Sequence, residues 1–296
     1  MGLLNTFRFI AQHPVTRDHK FSAYGRWLRW QVGSRILGWP VAVPFVNDTR
    51  LLVRPGMTGA TGNVYCGLHE YEDMAFVLHL LRPGDLFVDI GANIGSYTLL
   101  ASAAGANILC FEPVRSTFES LLDNIHLNRL ETRVEARNQA VGRAGGEIEM
   151  IVDQDTTNQA LQTGEEYFGE TGRVAVVALD DALSGNVPRA IKIDVEGYET
   201  EVLAGAGETL ASPLLQTVVM ELNGSGERYG FDEDGLHQQM QDIGFKPCRY
   251  EPASRTVVDL NGERPGTGNT LYLRDPETIQ NEVSNAPGYR VLGSNL

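Results

Sequence analysis

The chain has 296 residues and carries 24 Lys and Arg against 38 Asp and Glu, a net charge of -14. Hydrophobic residues make up 42% and charged residues 21%, which excludes disorder as the dominant state. The acidic balance disfavours nucleic acid as a partner, and three widely spaced cysteines (Cys66, Cys110, Cys248) exclude a disulfide framework and a four-cysteine zinc site and fit a reducing compartment.

Residues 1–40 predict a helical preface, with Phe21, Tyr24, Trp27 and Leu28 at helical spacing before Gly38-Trp39-Pro40. This stretch holds Arg8, Arg17, Lys20, Arg26, Arg29 and Arg35 against Asp18 alone. With Trp27 and Trp30, it allows a weak contact with a membrane surface. No run reaches the roughly 18 apolar residues of a spanning helix. The first residues lack the small-residue cleavage site of a signal peptide, so a cytoplasmic location is expected. Residues 41–54 alternate around Asn47-Asp48 and predict two short strands. Residues 55–69 are rich in Gly and Thr and read as a loop. A helix is predicted over 71–81, ending at Arg82-Pro83-Gly84.

From residue 85 short apolar runs alternate with helical patterns. The runs are Leu86–Ile90, Asn107–Phe111, Arg133–Asn138, Ala190–Ile193, Leu215–Glu221, Phe245–Tyr250 and Thr270–Leu273. The helices between them fall at about 96–104, 114–128, 198–210 and 233–243. Continuous apolar runs indicate strands covered on both faces, and the alternation indicates a parallel, doubly wound α/β sheet. The pattern breaks over 143–183, where Glu147–Val152 and Arg173–Leu179 predict extra strands flanking a polar loop. The expected organisation is an extension at 1–70, an α/β domain at 71–276 and a loose tail at 277–296.

The strongest motif is Phe87-Val88-Asp89-Ile90-Gly91-Ala92-Asn93-Ile94-Gly95, after a predicted strand and opening a predicted helix. Gly91 and Gly95 allow a sharp turn and close backbone approach, and the helix start offers free N–H groups. Glu112 ends the next strand, 21 residues after Gly91. An acid there can accept from both ribose hydroxyls, so the pair implies an adenosine-bearing ligand. Asn93 replaces the middle glycine of a dinucleotide site, and Asp89 would repel a pyrophosphate. Asp89 instead suits the cationic methionine end of S-adenosylmethionine (SAM). NAD is the alternative.

The second motif is Ile191-Lys192-Ile193-Asp194-Val195-Glu196-Gly197-Tyr198-Glu199. It places Lys192, Asp194 and Glu196 around the C-terminal end of the fourth sheet strand, the edge where open α/β sheets bind ligands. These acids also admit a plain reading as helix-start residues favouring the dipole.

The segments FVDIGANIGSYTLLAS, FEPVRSTFESLLDNIHLN, NQAVG and IKIDVEGYETEVLAGA resemble the FkbM family of SAM-dependent O-methyltransferases, in its order, from about Tyr71 to Leu273. The preface resembles bacterial members in HPVTRDHK and TGATGNVYCGLHEYEDM. The resemblance implies a class I, Rossmann-like methyltransferase fold: a seven-stranded, mostly parallel sheet with its last strand antiparallel. It implies cofactor contacts at Asp89, Gly91, Ala92, Asn93 and Gly95, ribose contacts at Glu112 beside Pro113, and adenine contacts at Gln139 and Ala140. Substrate contacts in the 143–183 insertion do not carry over.

Transfer of a methyl group to an alcohol needs alignment, exclusion of water and a general base or a metal. Asp194 is the candidate base, with Glu196 and Lys192 beside it. Alternatively Asp194, Glu221 and Asn223 converge from neighbouring strand ends to hold Mg²⁺. His126, in mid-helix, and Cys110, within a strand, read as structural. Tyr65, His69, Tyr71 and Glu72 stand where a lid is often placed, although packing explains them as well. The expected acceptor is a hydroxyl of a sugar or glycan, or else of a polyketide or other natural product. An NAD-dependent oxidoreductase and a SAM-binding module without catalysis are the competing readings.

Overall fold

Eight strands form the central sheet of this computed structural model, which describes residues 3–153, 158–162, 165, 167–266 and 268–296. They are β1 (Leu86–Ile90), β2 (Asn107–Phe111), β3 (Val134–Arg137), β4 (Ala190–Ile193), β5 (Thr217–Glu221), β6 (Lys246–Glu251), β7 (Thr256–Asp259) and β8 (Asn269–Leu273). Their spatial order is β7-β6-β8-β5-β4-β1-β2-β3. Strands β3, β2, β1, β4 and β5 run parallel, and β8 lies antiparallel between β5 and β6. That is the expected class I arrangement, with β7 added as an antiparallel edge strand that the sequence pattern did not announce.

The apolar strands are covered on both faces. Phe87, Ile108, Cys110 and Val219 face one core, while Val88, Ile90, Leu109, Phe111, Val218 and Met220 face the other. This alternation within unbroken hydrophobic runs is what burial on both faces produces. The chain runs outward from β1 to β3, then restarts at β4 on the opposite side of β1. The crevice at the carboxyl ends of β1 and β4 is therefore the topological switch point.

Three local expectations change. Residues 55–69 do not stay a loop: Thr58–Cys66 is an α-helix. Its glycines and threonines are poor helix formers, but Ala60, Val64 and Cys66 are buried against the helix Lys20–Leu37, and packing overrides propensity. The final residues are not loose. Asp275 caps the helix Pro276–Ser284 by accepting from the Thr278 N–H at 3.1 Å, Pro276 opens it, and Ile279 and Val283 are buried. Val291 then bridges Val46 of the N-terminal extension. The helix expected over 198–210 breaks into Glu199–Ala204 and Gly207–Ala211. At the break, a Cβ on Gly205 would lie 2.0 Å from the Gly142 carbonyl oxygen.

The 143–183 insertion carries the two predicted strands, as Gly146–Ile151 and Thr171–Val177, in a small sheet completed by Ala140–Val141. Of the polar loop between them, residues 154–157, 163–164 and 166 lie outside the described residues. The hairpin Val41–Pro44 and Arg50–Val53 forms as expected.

Candidate functional site

A cavity of about 220 Å³ opens at the switch point. Its floor is the turn after β1. The chain enters left-handed conformations at Gly91, Asn93 and Gly95, with φ of 80°, 52° and 94°. Gly91 is forced by a close approach, since a Cβ there would stand 1.8 Å from the Asp194 carbonyl oxygen. The Gly91 and Ala92 N–H groups both donate to the Phe111 carbonyl, at 3.0 and 2.9 Å, which pins the turn to the end of β2. Asn93 closes it by accepting from the Ile94 N–H at 2.8 Å.

Glu112 is buried at the end of β2. One carboxylate oxygen accepts from the Asn93 N–H at 3.0 Å and the other from the Val114 N–H at 2.9 Å. A carboxylate has about four acceptor positions, so two are left for a ligand's hydroxyl groups. Burial pushes its pKa up to about 7 against the pull of those N–H groups. Asp89, also buried, accepts from the Thr98 hydroxyl at 2.6 Å, and burial raises it to about 6. Pro113, Gln139 and Ala140 complete this side of the wall. Gly95 does not line the cavity. It sits under Leu121, whose Cδ1 would be 2.6 Å from an added Cβ.

The opposite wall grows from β4 and β5. Lys192 points from β4 into the interior with its side chain 1% exposed. Its Nζ lies 3.1 Å from Asp194 Oδ2 and 3.1 Å from Asn269 Oδ1, and 5.5 Å from the Tyr97 ring centre. Asn269 donates onward to Asp73 at 3.0 Å, and Tyr97 donates to Glu70 at 2.6 Å. Burial works against the lysine's charge, but Asp194, Glu70 and Glu221 outweigh it and hold the ammonium well above its ordinary range.

Asp194, Glu196 and Glu221 converge, with one carboxylate oxygen of each within 4.8 Å of the others. Glu196 is raised to about 7 by burial and the neighbouring Asp194 charge, and Glu221 is pushed up by the same two causes. Asn223 does not join them. It is exposed, does not line the cavity, and accepts from the Ser225 N–H at 2.9 Å. Glu196, which the sequence reading set beside Asp194 as a candidate catalytic group, stands in this cluster instead.

The turn that presents these acids is held by Glu199. Its carboxylate accepts from the Val195 N–H at 3.2 Å and the Gly197 N–H at 3.3 Å, and burial raises it to about 7. Glu196 sits at φ 53° and Gly197 at 98°, where a Cβ on Gly197 would be 2.6 Å from the Ser225 carbonyl oxygen. Sequence reasoning missed Glu199, although an acid in the first turn after Gly197 is a recognisable N-terminal signal. It also missed Asn63, Glu70 and Tyr97, which line the cavity. Of the lid candidates, His69 reaches the wall, while Tyr65 and Tyr71 face the N-terminal helices through Gln31 and His13. His126 is exposed on its helix and Cys110 is in the core.

The family model described as the methyltransferase FkbM domain matches residues 89–247, which spans both walls. Hexuronic acid methyltransferase AglP of Haloferax volcanii is 27% identical over 157 residues, covering 52% of this chain and 62% of that protein. The 31-O-demethyl-FK506 methyltransferase FkbM of Streptomyces tacrolimicus is 30% identical over 193 residues, covering 52% of this chain and 72% of that protein. The chain thus spans less than two thirds of the haloarchaeal relative's length. A crystal structure of an FkbM methyltransferase from Methylobacillus flagellatus covers 66% of this chain and 45% of its own, at 18% identity and a TM-score of 0.44. The match to the family model across more than half of the residues places this chain in the FkbM methyltransferase family.

Proposed function

We propose that the protein binds SAM and transfers its methyl group to a hydroxyl of a sugar or glycan. The observation that carries this reading is the division of the cavity into two acidic walls with different tasks. On the first, Glu112 keeps free acceptor positions for ribose hydroxyls, and Asp89 and the Gly91–Gly95 turn suit a cationic amino-acid end. Gln139 and Ala140 stand where an adenine would be held. Bound there, SAM would supply an electrophilic methyl group.

On the second wall, the chain's own groups manage the proton. An alcohol loses its proton as it attacks, and a carboxylate held nearby accepts it. Asp194 has one oxygen engaged by Lys192 and the other free of that ion pair, so the lysine orients the base without consuming it. Glu196 and Glu221, raised toward neutrality, can take and pass on a proton near physiological pH. The insertion closes the third side through Ile148, Met150 and Ala160, an apolar lining that limits water.

The acceptor reading follows from charge. Lys192 is already paired, so an anionic acceptor finds carboxylates rather than a free cation on these walls. A neutral polyol fits better. The hexuronic acid relative makes a sugar the first choice, with the charge of these walls pointing here to an uncharged sugar rather than an acid, and the FK506 relative keeps a polyketide hydroxyl as the alternative. Incubation with methyl-labelled SAM and a panel of neutral glycans and macrolides tests this. The expected result is S-adenosylhomocysteine formation that depends on one acceptor class and falls about 10²–10⁴-fold in Asp194→Asn. Calorimetry showing NAD bound and SAM ignored would overturn it.

A second reading rests on the Asp194, Glu196 and Glu221 group, whose hard oxygens suit Mg²⁺. It predicts that turnover is lost in excess chelator and restored by Mg²⁺. Full turnover in chelator removes the metal.

A further inference from the structure

Helix Lys20–Leu37 is apolar on both sides. Ala23 and Trp30 are buried inward, while Phe21, Leu28, Val32 and Ile36 form a single line at spacings of seven, four and four on the outer face. Phe21 is 82% exposed, Ile36 75%, and Trp39, just beyond the helix, 74%. An exposed apolar line of this kind marks a surface that another body covers, and among the described residues nothing covers it. Among the described residues no helix is long and apolar enough to span a bilayer.

The flanking charges identify the partner. Lys20, Arg29 and Arg35 stand beside Phe21, Leu28 and Ile36, and all three are exposed. The helix contains no acidic residue in a protein whose net charge is -14. Two copies joined symmetrically through this face would bring the same lysine and arginines against one another. An anionic bilayer instead receives the apolar line at its acyl boundary and the cations at its headgroups, with Trp39 at the interface.

We infer that the outer face of helix Lys20–Leu37, with Trp39, docks the protein flat on an anionic membrane surface. The helix packs directly on Thr58–Cys66, and Arg26 donates to the Tyr65 carbonyl at 2.9 Å. Ala60 and Asn63 of that second helix line the candidate site. Docking therefore sets the cavity wall one helix away from the lipid. On the methyltransferase reading, this suits an acceptor carried on a lipid anchor, but the docking itself does not depend on that reading.

The test is flotation of the full chain with vesicles of phosphatidylcholine alone and of phosphatidylcholine with phosphatidylglycerol in roughly equal parts. Wild-type protein is expected to float with the anionic vesicles and to bind the neutral ones at least about tenfold less, with binding falling as salt is raised. Phe21→Ser/Ile36→Ser and Lys20→Glu/Arg35→Glu should each lower binding about tenfold or more with unchanged circular dichroism and melting temperature. SAM binding, measured separately, should not change in either variant. The inference is overturned if wild type stays unbound or if both variants float as wild type does. It is equally overturned if light scattering without lipid shows a dimer that Phe21→Ser/Ile36→Ser dissociates, because a second copy then covers the face.

Discussion

Lys192 and Asp194 form an ion pair that is buried at one end and open at the other. The Nζ and Oδ2 atoms are 3.1 Å apart, yet the lysine side chain is 1% exposed and the aspartate 33%. The lysine cannot leave, since Asn269 holds it from the other side. The aspartate is fixed in direction but faces the cavity. Asp194→Asn should therefore lower kcat about 10²–10⁴-fold, the range for loss of a general base, while leaving SAM affinity within a few-fold. Lys192→Met should lose activity and stability together. Breaking a fully buried pair costs about 3–5 kcal/mol, and the exposure of Asp194 places this case at or below the low end. Chemical denaturation and steady-state kinetics on both variants check this. Equal kcat for Asp194→Asn and wild type would remove Asp194 as the base.

Glu112 serves two ends at once. It fastens the Asn93 and Val114 N–H groups, and on the proposed reading it also takes the ribose hydroxyls. Glu112→Ala should weaken SAM by about 1–3 kcal/mol, the cost of an unsatisfied buried partner, and should lower the melting temperature as well. Glu112→Gln has an acceptor for only one of the two N–H groups, and its affinity should fall between the two. Calorimetric titration decides the matter, and unchanged SAM affinity in Glu112→Ala would place the ribose elsewhere.

The legible part of the site was the local part. Asp89, Gly91, Glu112 and Asp194 each sit at a strand end beside a turn, and strand, turn and acid are adjacent in sequence. The partners of Lys192 were not legible for the opposite reason. Asn269 comes from 77 residues away, and its own partner Asp73 from 196 residues further back in the chain. No spacing in the sequence marks an asparagine at the start of β8 as the far clamp on a lysine in β4. The helix at Thr58–Cys66 was hidden because its residues disfavour a helix in isolation and only the groove against Lys20–Leu37 makes it one. Asn63, on that helix, was missed with it. The helix Pro276–Ser284 is different: its Asp275-Pro276 start is a readable cap.

Gly91 tests whether the turn and the second wall are one unit. An alanine there meets the Asp194 carbonyl oxygen at 1.8 Å and must also adopt φ near 80°. Backbone has to move, and the backbone in question carries Asp194, the proposed base. Gly91→Ala is expected to cost about 3 kcal/mol or more and to reduce both SAM binding and turnover. Gly146→Ala, which meets nothing within 4 Å, is the control. A stable, fully active Gly91→Ala would show that the two walls are not coupled through this contact.

Acidity in the cavity sets its pH behaviour. Burial raises Asp89 to about 6 and Glu112 and Glu196 to about 7 in the folded protein. A carboxyl whose pKa is raised on folding binds its proton more tightly in the native state. Its contribution to stability is therefore complete below the ordinary carboxyl range and is lost as pH rises through the raised values. The ligand-free protein should lose stability between about pH 4.5 and 7. A cationic ligand reverses the preference, because the sulfonium and ammonium of SAM favour the ionised acids. Binding should release protons, and SAM affinity should climb from about pH 5 to 8. Titration calorimetry in two buffers of different ionisation enthalpy reads the proton count directly. Heats independent of buffer, with affinity flat across that range, would mean that these carboxyls do not face the cation.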